Sequence, residues 1–277
     1  MKRIGMGLTG ACIGTDALAG ALQIRWSETP PPGSSDAWIK DYLHKMHNYD
    51  AHHPGDRFVS SRDAVVFESV RSRLLRVQRT VGYGNFHLIG FDDALNIARG
   101  YARVGAFPRN EIEFLEKIFY REAAEYGFYG AKACRHLTDT PRVEDVVKIP
   151  RTGNYLYRGR PLELYRTLRA TIGSDAILTS GIRCIVKQFV LFFNKAWESE
   201  LNLSMASRSL APPGYSFHGT GDFDVGQVGF GAANFTERFA TTDVFRRLTD
   251  QGFVNLRYSR DNLLGVRFEP WHIKVAG

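Results

Sequence analysis

An apolar stripe in the second half of the chain constrains the fold more than any other feature of the sequence. Its members recur at helical spacing over three turns, and this pattern predicts a helix that packs into a core. Just before it, "AILTSG" at 176–181 is a short apolar run that predicts a buried strand. The residues of the stripe are Val186, Phe189, Val190, Phe193 and Trp197.

Short segments of extended character follow the stripe and set the fold class. One helix, from Thr242 to about Gln251, interrupts them, and another is predicted at 162–168, before the strand. Strands that are grouped together, with helices kept apart from them, predict an α+β domain on an antiparallel sheet with flanking helices. The extended segments are "LSMASRS", "FDVGQV", "FVNLRY", "GVRFE" and "WHIKV".

The sequence in front of this domain is helical in pattern. It predicts a mostly helical extension at 37–134, followed by the domain at 135–277. Within the extension, Asn110 and Glu113 form a capping-box pattern, and Gly127 marks a helix end. No residue pattern in the extension indicates chemistry. Two roles therefore stay open for it: a cap that shapes substrate access, or a stabilising extension.

The first residues have features of an export signal. Lys2 and Arg3 precede a weakly apolar, glycine-rich run that ends in small residues, so 1–21 is a possible signal peptide, although Asp16 interrupts the run. Prolines, glycine and serines then predict a linker at 22–36. An exported chain would be periplasmic or lie in the cell envelope; without a signal it would be cytoplasmic. No run of 18 apolar residues exists, so no transmembrane segment is predicted.

The overall composition is that of an ordinary globular protein, with 44% hydrophobic and 23% charged residues in 277. The net charge of +7 allows a partner such as nucleic acid or an anionic envelope polymer. However, the sequence has no basic stripe with interleaved aromatic residues and no nucleic-acid motif. We therefore predict no nucleic-acid binding, and the sequence leaves the oligomeric state open.

Cysteines and the first histidine cluster do not indicate a metal site. Without a CxxC pair, a cysteine metal site is not predicted, and Cys184 at a helix start is expected to be a buried small side chain rather than a nucleophile. The histidines at 44–53 lack an acidic or cysteine partner at a suitable spacing, so this segment is expected at the surface. The three cysteines are Cys12, Cys134 and Cys184.

Four residues near the C-terminus form a pattern that carries chemistry: His218, Asp224, Glu269 and His272. Two neutral imidazoles and one carboxylate are a common ligand set of catalytic zinc, which keeps a fourth position for water. A nearby carboxylate can take the proton of that water once the metal has lowered its pKa towards about 7. Taken alone, a His-x5-Asp pair is more often a hydrogen-bonded surface pair, and E-x-x-H is a weaker signal still.

The sequence around these residues resembles that of a known family, the VanY-like D-alanyl-D-alanine carboxypeptidases, which have the Hedgehog/DD-peptidase fold. "APPGYSFHGTGDFDVG" resembles the family motif S-x-H-x-x-G-x-A-x-D, and "FEPWHIKV" resembles E-x-W-H. "TSGIRCIVKQ" is similar to the third signature, S-G-Y-R-S-x-x-x-Q. The three segments occur in family order with family-like separations, and the resemblance covers roughly 145–277.

The resemblance implies a role for each matching residue. His218, Asp224 and His272 would bind Zn²⁺, Glu269 would be the catalytic acid and base, and Arg183 would polarise the scissile carbonyl and stabilise its oxyanion.

Two further matches concern substrate binding. Ser216 matches the motif serine, which contacts the substrate or supports the site, and Gln188 is a weaker match for which a structural role is also open.

The sequence also departs from the family pattern. The family places seven steps between the first histidine and the aspartate, whereas His218 and Asp224 are six apart, which leaves Asp222 as the alternative ligand. Ile182 replaces the usual tyrosine and Cys184 the usual serine, next to the substrate pocket.

The implied function is a zinc-dependent D,D-carboxypeptidase that hydrolyses the terminal D-Ala-D-Ala bond of peptidoglycan stem peptides. Two alternatives remain from the sequence. One keeps the zinc chemistry and changes the bond, as in an L,D-carboxypeptidase or a peptidoglycan endopeptidase. The other is a zinc-stabilised binding module without catalysis, which the presence of Glu269 does not favour.

Overall fold

The structure is a computed structural model, and it describes residues 35–275. The signal peptide predicted at 1–21 and the linker predicted at 22–36 lie outside the described residues, except for Ser35 and Asp36. Ser35 is the N-cap of the first helix, since its side chain accepts a hydrogen bond from the backbone nitrogen of Trp38 at 3.2 Å. The first helix therefore begins at the last residue of the predicted linker.

The described chain contains helices throughout and short strands in its second half. The α-helices are α1 (Asp36–His47), α2 (Ala64–Val81), α3 (Phe91–Gly100), α4 (Arg109–Tyr120), α5 (Arg160–Ile172), α6 (Ile185–Glu198), α7 (Leu203–Ser209) and α8 (Asp243–Asp250). The strands are β1 (Val146–Lys148), β2 (Tyr155–Tyr157), β3 (Ala176–Ser180), β4 (Phe223–Gln227) and β5 (His272–Ile273).

Antiparallel pairing joins all of these strands. β1 and β2 form a hairpin, and β3, β4 and β5 form a three-stranded sheet with β4 in the centre. In that sheet Asp224 lies opposite His272 on one side and Ser180 on the other. The predicted α+β fold class is confirmed, and the register brings three motif segments, more than 40 residues apart in sequence, to one place.

Two large hydrophobic cores support this sheet. The first lies between α2, α3 and α4 of the N-terminal region and α6 and α7, where the rings of Phe67, Phe114 and Phe193 pack together. The second lies between α5, α8 and the three-stranded sheet. α6 follows β3 in sequence and packs against α2. It therefore connects the helices α2, α3 and α4 to the three-stranded sheet.

The predicted core helix is confirmed, with one exception at its end. α6 buries every member of the apolar stripe apart from Trp197, which is 42% exposed. Arg71 of α2 stacks over that ring, 4.8 Å from its centre. The helix begins as predicted after Cys184, a buried free cysteine whose Sγ accepts a hydrogen bond from the backbone nitrogen of Lys187. Burial raises the pKa of the Cys184 thiol to about 12, so this group is a poor nucleophile.

Several sequence predictions of local structure were wrong. "LSMASRS" forms helix α7 rather than an extended segment, because Asn202 caps it through the backbone nitrogen of Met205 at 2.8 Å. The segments 253–258 and 265–269 belong to none of the strands; within them Leu256 forms a single bridge to Ile273. Glu113 does not close a capping box.

The reason for that last error is the position at which the helix starts. α4 begins two residues earlier than the pattern implied, with Pro108 rather than Asn110 at its N-cap, and Glu113 instead pairs with Arg109 at 2.7 Å.

Candidate metal centre

His218 lies on a short 3-10 helix, Phe217–Gly219, directly before β4. Its Nδ1 is 2.7 Å from the backbone oxygen of Gly181. In the neutral tautomer Nδ1 carries the proton and donates it there, so Nε2 keeps a free lone pair. Burial, followed by the charge of Arg183, lowers the pKa of His218 to about 4, which favours this neutral form.

The carbonyl that orients His218 depends on a glycine. A Cβ at Gly181 would lie 2.0 Å from the backbone oxygen of Tyr155, a distance that no side chain tolerates. The β1–β2 hairpin therefore approaches the end of β3 only because residue 181 has no side chain. This close approach explains the glycine of the "TSGIR" segment in physical terms.

His272 is oriented by a carboxylate rather than by a carbonyl. Its Nε2 lies 3.0 Å from Oδ2 of Asp222, which leaves Nδ1 to face the site. Asp222 is itself fixed by Arg257, whose Nε donates to Oδ2 at 2.6 Å, and by the backbone nitrogen of Val275 at 2.9 Å from Oδ1. Such a carboxylate behind a histidine is the usual outer partner of a metal ligand.

Asp224 is the carboxylate that the structure places between the two histidines. Its Oδ1 lies 3.2 Å from Nε2 of His218 and 3.3 Å from Nδ1 of His272. Its Oδ2 accepts a hydrogen bond from Nη2 of Arg183 at 2.6 Å. Burial alone would raise the pKa of Asp224, but His218 and Arg183 together hold it well below the usual range, so the group is ionised.

Three buried atoms at this point have no hydrogen-bond partner: Nε2 of His218, Oδ1 of Asp224 and Nδ1 of His272. The ligand atoms of these residues all lie within 4.8 Å of one another. Buried polar atoms without partners are costly, and here three of them face the same small space. Two imidazole nitrogens and a carboxylate oxygen are a donor set that suits catalytic Zn²⁺, so the residues present fit the metal.

The protonation of His272 supports the same conclusion. Burial lowers its pKa, but the hydrogen bond to Asp222 and the negative charges of Asp224 and Asp222 outweigh burial and raise the pKa to about 9. Without a metal, the proton on His272 supplies the positive charge that balances the carboxylates of Asp222 and Asp224. A bound cation supplies that charge instead, and metal binding releases the proton.

Glu269 lies beside the three ligand atoms. It is in a turn in which the backbone nitrogen of His272 donates to its carbonyl oxygen at 3.2 Å, and its Oε2 is 3.5 Å from Nδ1 of His272. Burial raises the pKa of Glu269 to about 7, with the charge of His272 acting in the opposite direction. A carboxyl group that titrates near neutrality is suited to accept and return a proton.

Arg183 precedes α6 and is fixed by two partners. Nε donates to Oγ of Ser180 at 2.8 Å, and Nη2 donates to Asp224. The guanidinium therefore touches a metal-ligand carboxylate, a contact that the sequence pattern did not predict.

An open cleft of about 500 Å³ gives access to this group of residues. Arg183, Asp224 and Glu269 lie in its wall, together with residues of the helical region and of the β1–β2 hairpin. The full lining is His87, Thr152, Asn154, Thr179, Ser180, Arg183, Lys187, Leu191, Ser209, Leu210, Asp224, Phe235, Arg267, Glu269 and Trp271.

Ser216 and Gln188 are not in that lining. Ser216 is buried two residues before His218, at the start of the 3-10 helix. Gln188 is buried on α6, and its Nε2 donates to the backbone oxygen of Ala211 at 2.5 Å. The substrate-binding role of both residues stays a prediction, and Gln188 in addition links α6 to the segment before His218.

Sequence reasoning missed four residues around the site. Asp222 was considered only as an alternative ligand, and Arg257, which holds it, has no motif that could have identified it. Lys187 and His87 lie in the cleft wall. Lys187 is inside the quoted "TSGIRCIVKQ" segment at a position that the family pattern leaves undefined, and His87 comes from the helical region.

The cleft and its zinc-type donor set are suited to metal-assisted chemistry. Residues 162–277 match the family model described as VanY, D-alanyl-D-alanine carboxypeptidase. The matched residues contain all three segments on which the resemblance to the VanY family was predicted. A search of the curated proteins gave no match.

Two solved structures are similar to the chain. One is a mutant of the vancomycin-resistance D,D-pentapeptidase VanY from a VanB-type resistance cassette, in complex with Zn(II). It is 24% identical, with a TM-score of 0.39, over 48% of this chain and 78% of that one. The other is VanYB in complex with D-alanine-D-alanine, with the same identity and TM-score, over 48% of this chain and 77% of that one.

The helices described at 35–275 were also examined as membrane spans. None of them is both long enough and apolar enough to cross a bilayer.

Proposed function

We propose that this chain is a zinc-dependent D,D-carboxypeptidase that removes the terminal D-alanine from peptidoglycan stem peptides. One observation carries the proposal. Within residues 35–275, three buried atoms that could bind a metal have no hydrogen-bond partner and face one another beside Glu269, at the wall of an open cleft. The ligand set supports the metal, and the match of residues 162–277 to the VanY family model supports the substrate class.

His218, Asp224 and His272 are the residues that would hold Zn²⁺. When bound, the metal lowers the pKa of a water molecule and polarises the carbonyl of the substrate. The protein fixes these ligands before binding, because Gly181 orients His218 and Asp222 orients His272. Each imidazole is thereby limited to one tautomer that presents a lone pair to the site.

Glu269 would act as the base and then as the acid. Its carboxylate accepts a proton from water as the water oxygen bonds to the carbonyl carbon. As the C–N bond breaks, the same group gives the proton to the leaving amine. The raised pKa of about 7, caused by burial, allows Glu269 to do both near neutral pH.

Arg183 would stabilise the negative charge that develops on the carbonyl oxygen. Its bonds to Ser180 and Asp224 keep the guanidinium in the cleft wall without needing to reorganise during the reaction. The guanidinium is planar and presents several N–H donors in a fixed geometry, which suits an oxyanion.

We infer that the protein acts in the cell envelope, since peptidoglycan is located there. The possible signal peptide at 1–21 supports this location. Fractionation of cells that express the full chain, with N-terminal sequencing of the mature protein, tests it. Recovery of the intact chain from the cytoplasm alone would contradict export.

Mass spectrometry of defined muropeptides tests the activity. Wild-type protein loaded with zinc is incubated with pentapeptide monomers, and loss of one terminal alanine is the expected result. A chelator should abolish the loss, and added zinc should restore it. Glu269→Gln should retain zinc and lose turnover by about a thousandfold, within the range typical of acid–base groups.

The alternatives give different products in the same assay. Cleavage of tetrapeptides or of cross-linked dimers, with pentapeptide monomers intact, would replace the D,D-carboxypeptidase with an L,D-carboxypeptidase or an endopeptidase. Binding of muropeptides that is the same in wild type and Glu269→Gln, without hydrolysis by either, would identify a binding module.

A further inference from the structure

One lysine and two arginines lie in the wall of the cleft: Lys187, Arg183 and Arg267. Arg183 is occupied by Ser180 and Asp224. Arg267 is fixed as well: its Nη2 donates to the backbone oxygen of Phe235 at 2.8 Å, and its Nε, which has no partner among residues 35–275, is buried away from the cleft solvent.

Two aromatic rings also hold Arg267. Its guanidinium lies 4.5 Å from the ring centre of Tyr49 and 4.9 Å from that of Trp271. Such stacking fixes a guanidinium along the wall of a cleft. Arg267 thus supports the wall and has little freedom to turn towards a ligand.

Lys187 is different from both arginines. Among residues 35–275, its Nζ has neither a hydrogen bond nor an ion pair. The side chain is half-buried, and burial lowers its pKa, with the neighbouring charge of Arg183 acting in the same direction. A half-buried ammonium group without an anionic partner carries a desolvation cost that an anionic ligand would offset.

The position of Lys187 on α6 relates it to the reacting atoms. Arg183, which contacts the metal-ligand carboxylate, precedes it by four residues, and Leu191 follows in the cleft wall about 6 Å further along the helix axis. In a carboxypeptidase substrate the scissile carbonyl and the terminal carboxylate belong to adjacent residues, whose Cα atoms are about 3.8 Å apart. Lys187 lies in the same cleft wall as Arg183, near enough for their charges to interact, and is therefore placed to meet that carboxylate.

His87 does not compete for the same anion. Its Nδ1 is 2.9 Å from the backbone oxygen of Ile182, and burial, followed by the charge of Lys187, lowers its pKa to about 4. The ring is neutral at physiological pH, so Lys187 supplies the unpaired positive charge on this side of the cleft.

We propose that Lys187 binds the free α-carboxylate of the residue that the enzyme removes. This inference rests on the proposed function and makes it narrower, because the site would then select peptides that end in a free carboxylate over amidated or extended ones. The same cation would account for a carboxypeptidase rather than an endopeptidase.

The test combines variants of the protein with variants of the substrate. Wild type, Lys187→Met and Lys187→Arg are compared on a stem pentapeptide that ends in D-alanine and on the same peptide ending in D-alaninamide. Lys195→Met is the matched control, since Lys195 lies on the same helix outside the cleft lining.

We expect Lys187→Met to lower kcat/KM for the acid by about tenfold to a hundredfold, mainly through KM, as for loss of a charge-assisted hydrogen bond. The amide should change by less than about twofold, since it carries no charge for Lys187 to bind. Lys187→Arg should retain most of the preference for the acid, and Lys195→Met should behave as wild type. Equal losses on both peptides, or no loss on either, would overturn the proposal.

Failure of the proposed function is distinguishable from failure of this inference. If the wild type hydrolyses neither peptide, the D,D-carboxypeptidase assignment is wrong, and equilibrium binding then decides the role of Lys187. Zinc-loaded wild type and Lys187→Met are titrated with D-Ala-D-Ala and with its amide. Weaker binding of the acid alone in the variant supports the inference, and identical binding by the two proteins refutes it.

Discussion

Carboxylates are buried both among the N-terminal helices and at the candidate metal centre, but the two places differ in how many carboxylate oxygens have hydrogen-bond partners. Glu111 of α4 is 1% exposed, and both of its oxygens are bound: Oε1 by Ser69 at 2.5 Å, and Oε2 by Arg73 at 2.6 Å. Asp56 is bound by Arg208 through both oxygens and by Asn202 at 2.7 Å. Both oxygens of each of these two carboxylates are therefore bound by side chains of the protein.

At the metal centre one carboxylate is left incomplete. Asp224 has a partner for Oδ2 in Arg183, while its buried Oδ1 has none and faces two imidazole nitrogens in the same condition. A buried ion pair whose hydrogen bonds are all made stabilises the geometry of a fold. A buried group of atoms without hydrogen-bond partners is instead typical of a site that binds a ligand. Burial of charge alone therefore does not identify a site; the missing partner does.

Asp224→Asn should give the largest effect, because it removes a charged ligand where nothing else can replace it. Structural zinc sites bind with about 10–16 kcal/mol in total, so loss of one of three ligands should cost on the order of 5 kcal/mol, or several thousandfold in zinc affinity. Competition with a zinc chelator measures the affinity, and turnover should fall in parallel. Asp56→Asn is the control and should bind zinc as the wild type does; a loss of less than tenfold in Asp224→Asn would exclude Asp224 as a ligand.

Glu111→Leu should act on stability and not on zinc. It leaves the guanidinium of Arg73 without its anion, and breaking a buried pair costs about 3–5 kcal/mol. Because Arg73 also donates to the backbone oxygens of Val104 and Gly105, we expect the lower half of that range. Urea unfolding of the metal-free protein measures the change.

The double variant Glu111→Leu/Arg73→Met tests whether the loss of stability comes from the unpaired Arg73. Replacing both partners by apolar groups of similar volume is often neutral, so the double variant should recover most of the lost free energy of unfolding. If the double variant is as unstable as the single one, the ion pair is not the origin of the effect. Zinc affinity should be unchanged in both variants.

The candidate metal-site residues could be named from the sequence for a physical reason, and their role as ligands stays a prediction. His218, Glu269 and His272 belong to short motifs whose residue types are fixed by chemistry, and "AILTSG" and the stripe of α6 follow the periodicity of a strand and a helix. Such signals are local in sequence.

The partners of those residues were not predictable in this way. Arg257 supports Asp222 across 35 residues, and Arg183 reaches Asp224 across 41, so neither contact leaves a pattern in a window of sequence. α7 was predicted as extended because its short apolar run lacks helical periodicity, and the cap that starts it, Asn202, carries no such signal on its own. These contacts depend on the register of β3, β4 and β5.

Asp56→Asn should cause the smallest loss of stability. The pH dependence of that loss tests directly whether Asp56 is a carboxylate held by charged partners. Burial alone would raise its pKa, but hydrogen bonds from Arg208 and Asn202 outweigh burial and lower the pKa from 3.8 to about 2. A carboxyl group whose pKa is lower in the folded state stabilises the fold above the unfolded pKa. That contribution is lost as the pH falls through the folded value.

The expected result is therefore a difference between wild type and Asp56→Asn that changes with pH. At pH 5 the variant should be less stable by about 1–2 kcal/mol, and this difference should shrink steadily as the pH falls to 2, where the folded wild-type carboxyl is about half protonated. Urea unfolding with a chelator present excludes the metal ligands from the comparison. A difference that stays constant from pH 5 to pH 2 would mean that shape, and not the charge shared with Arg208, connects residue 56 to α7. The satisfied carboxylate would then no longer be the counterpart of Asp224.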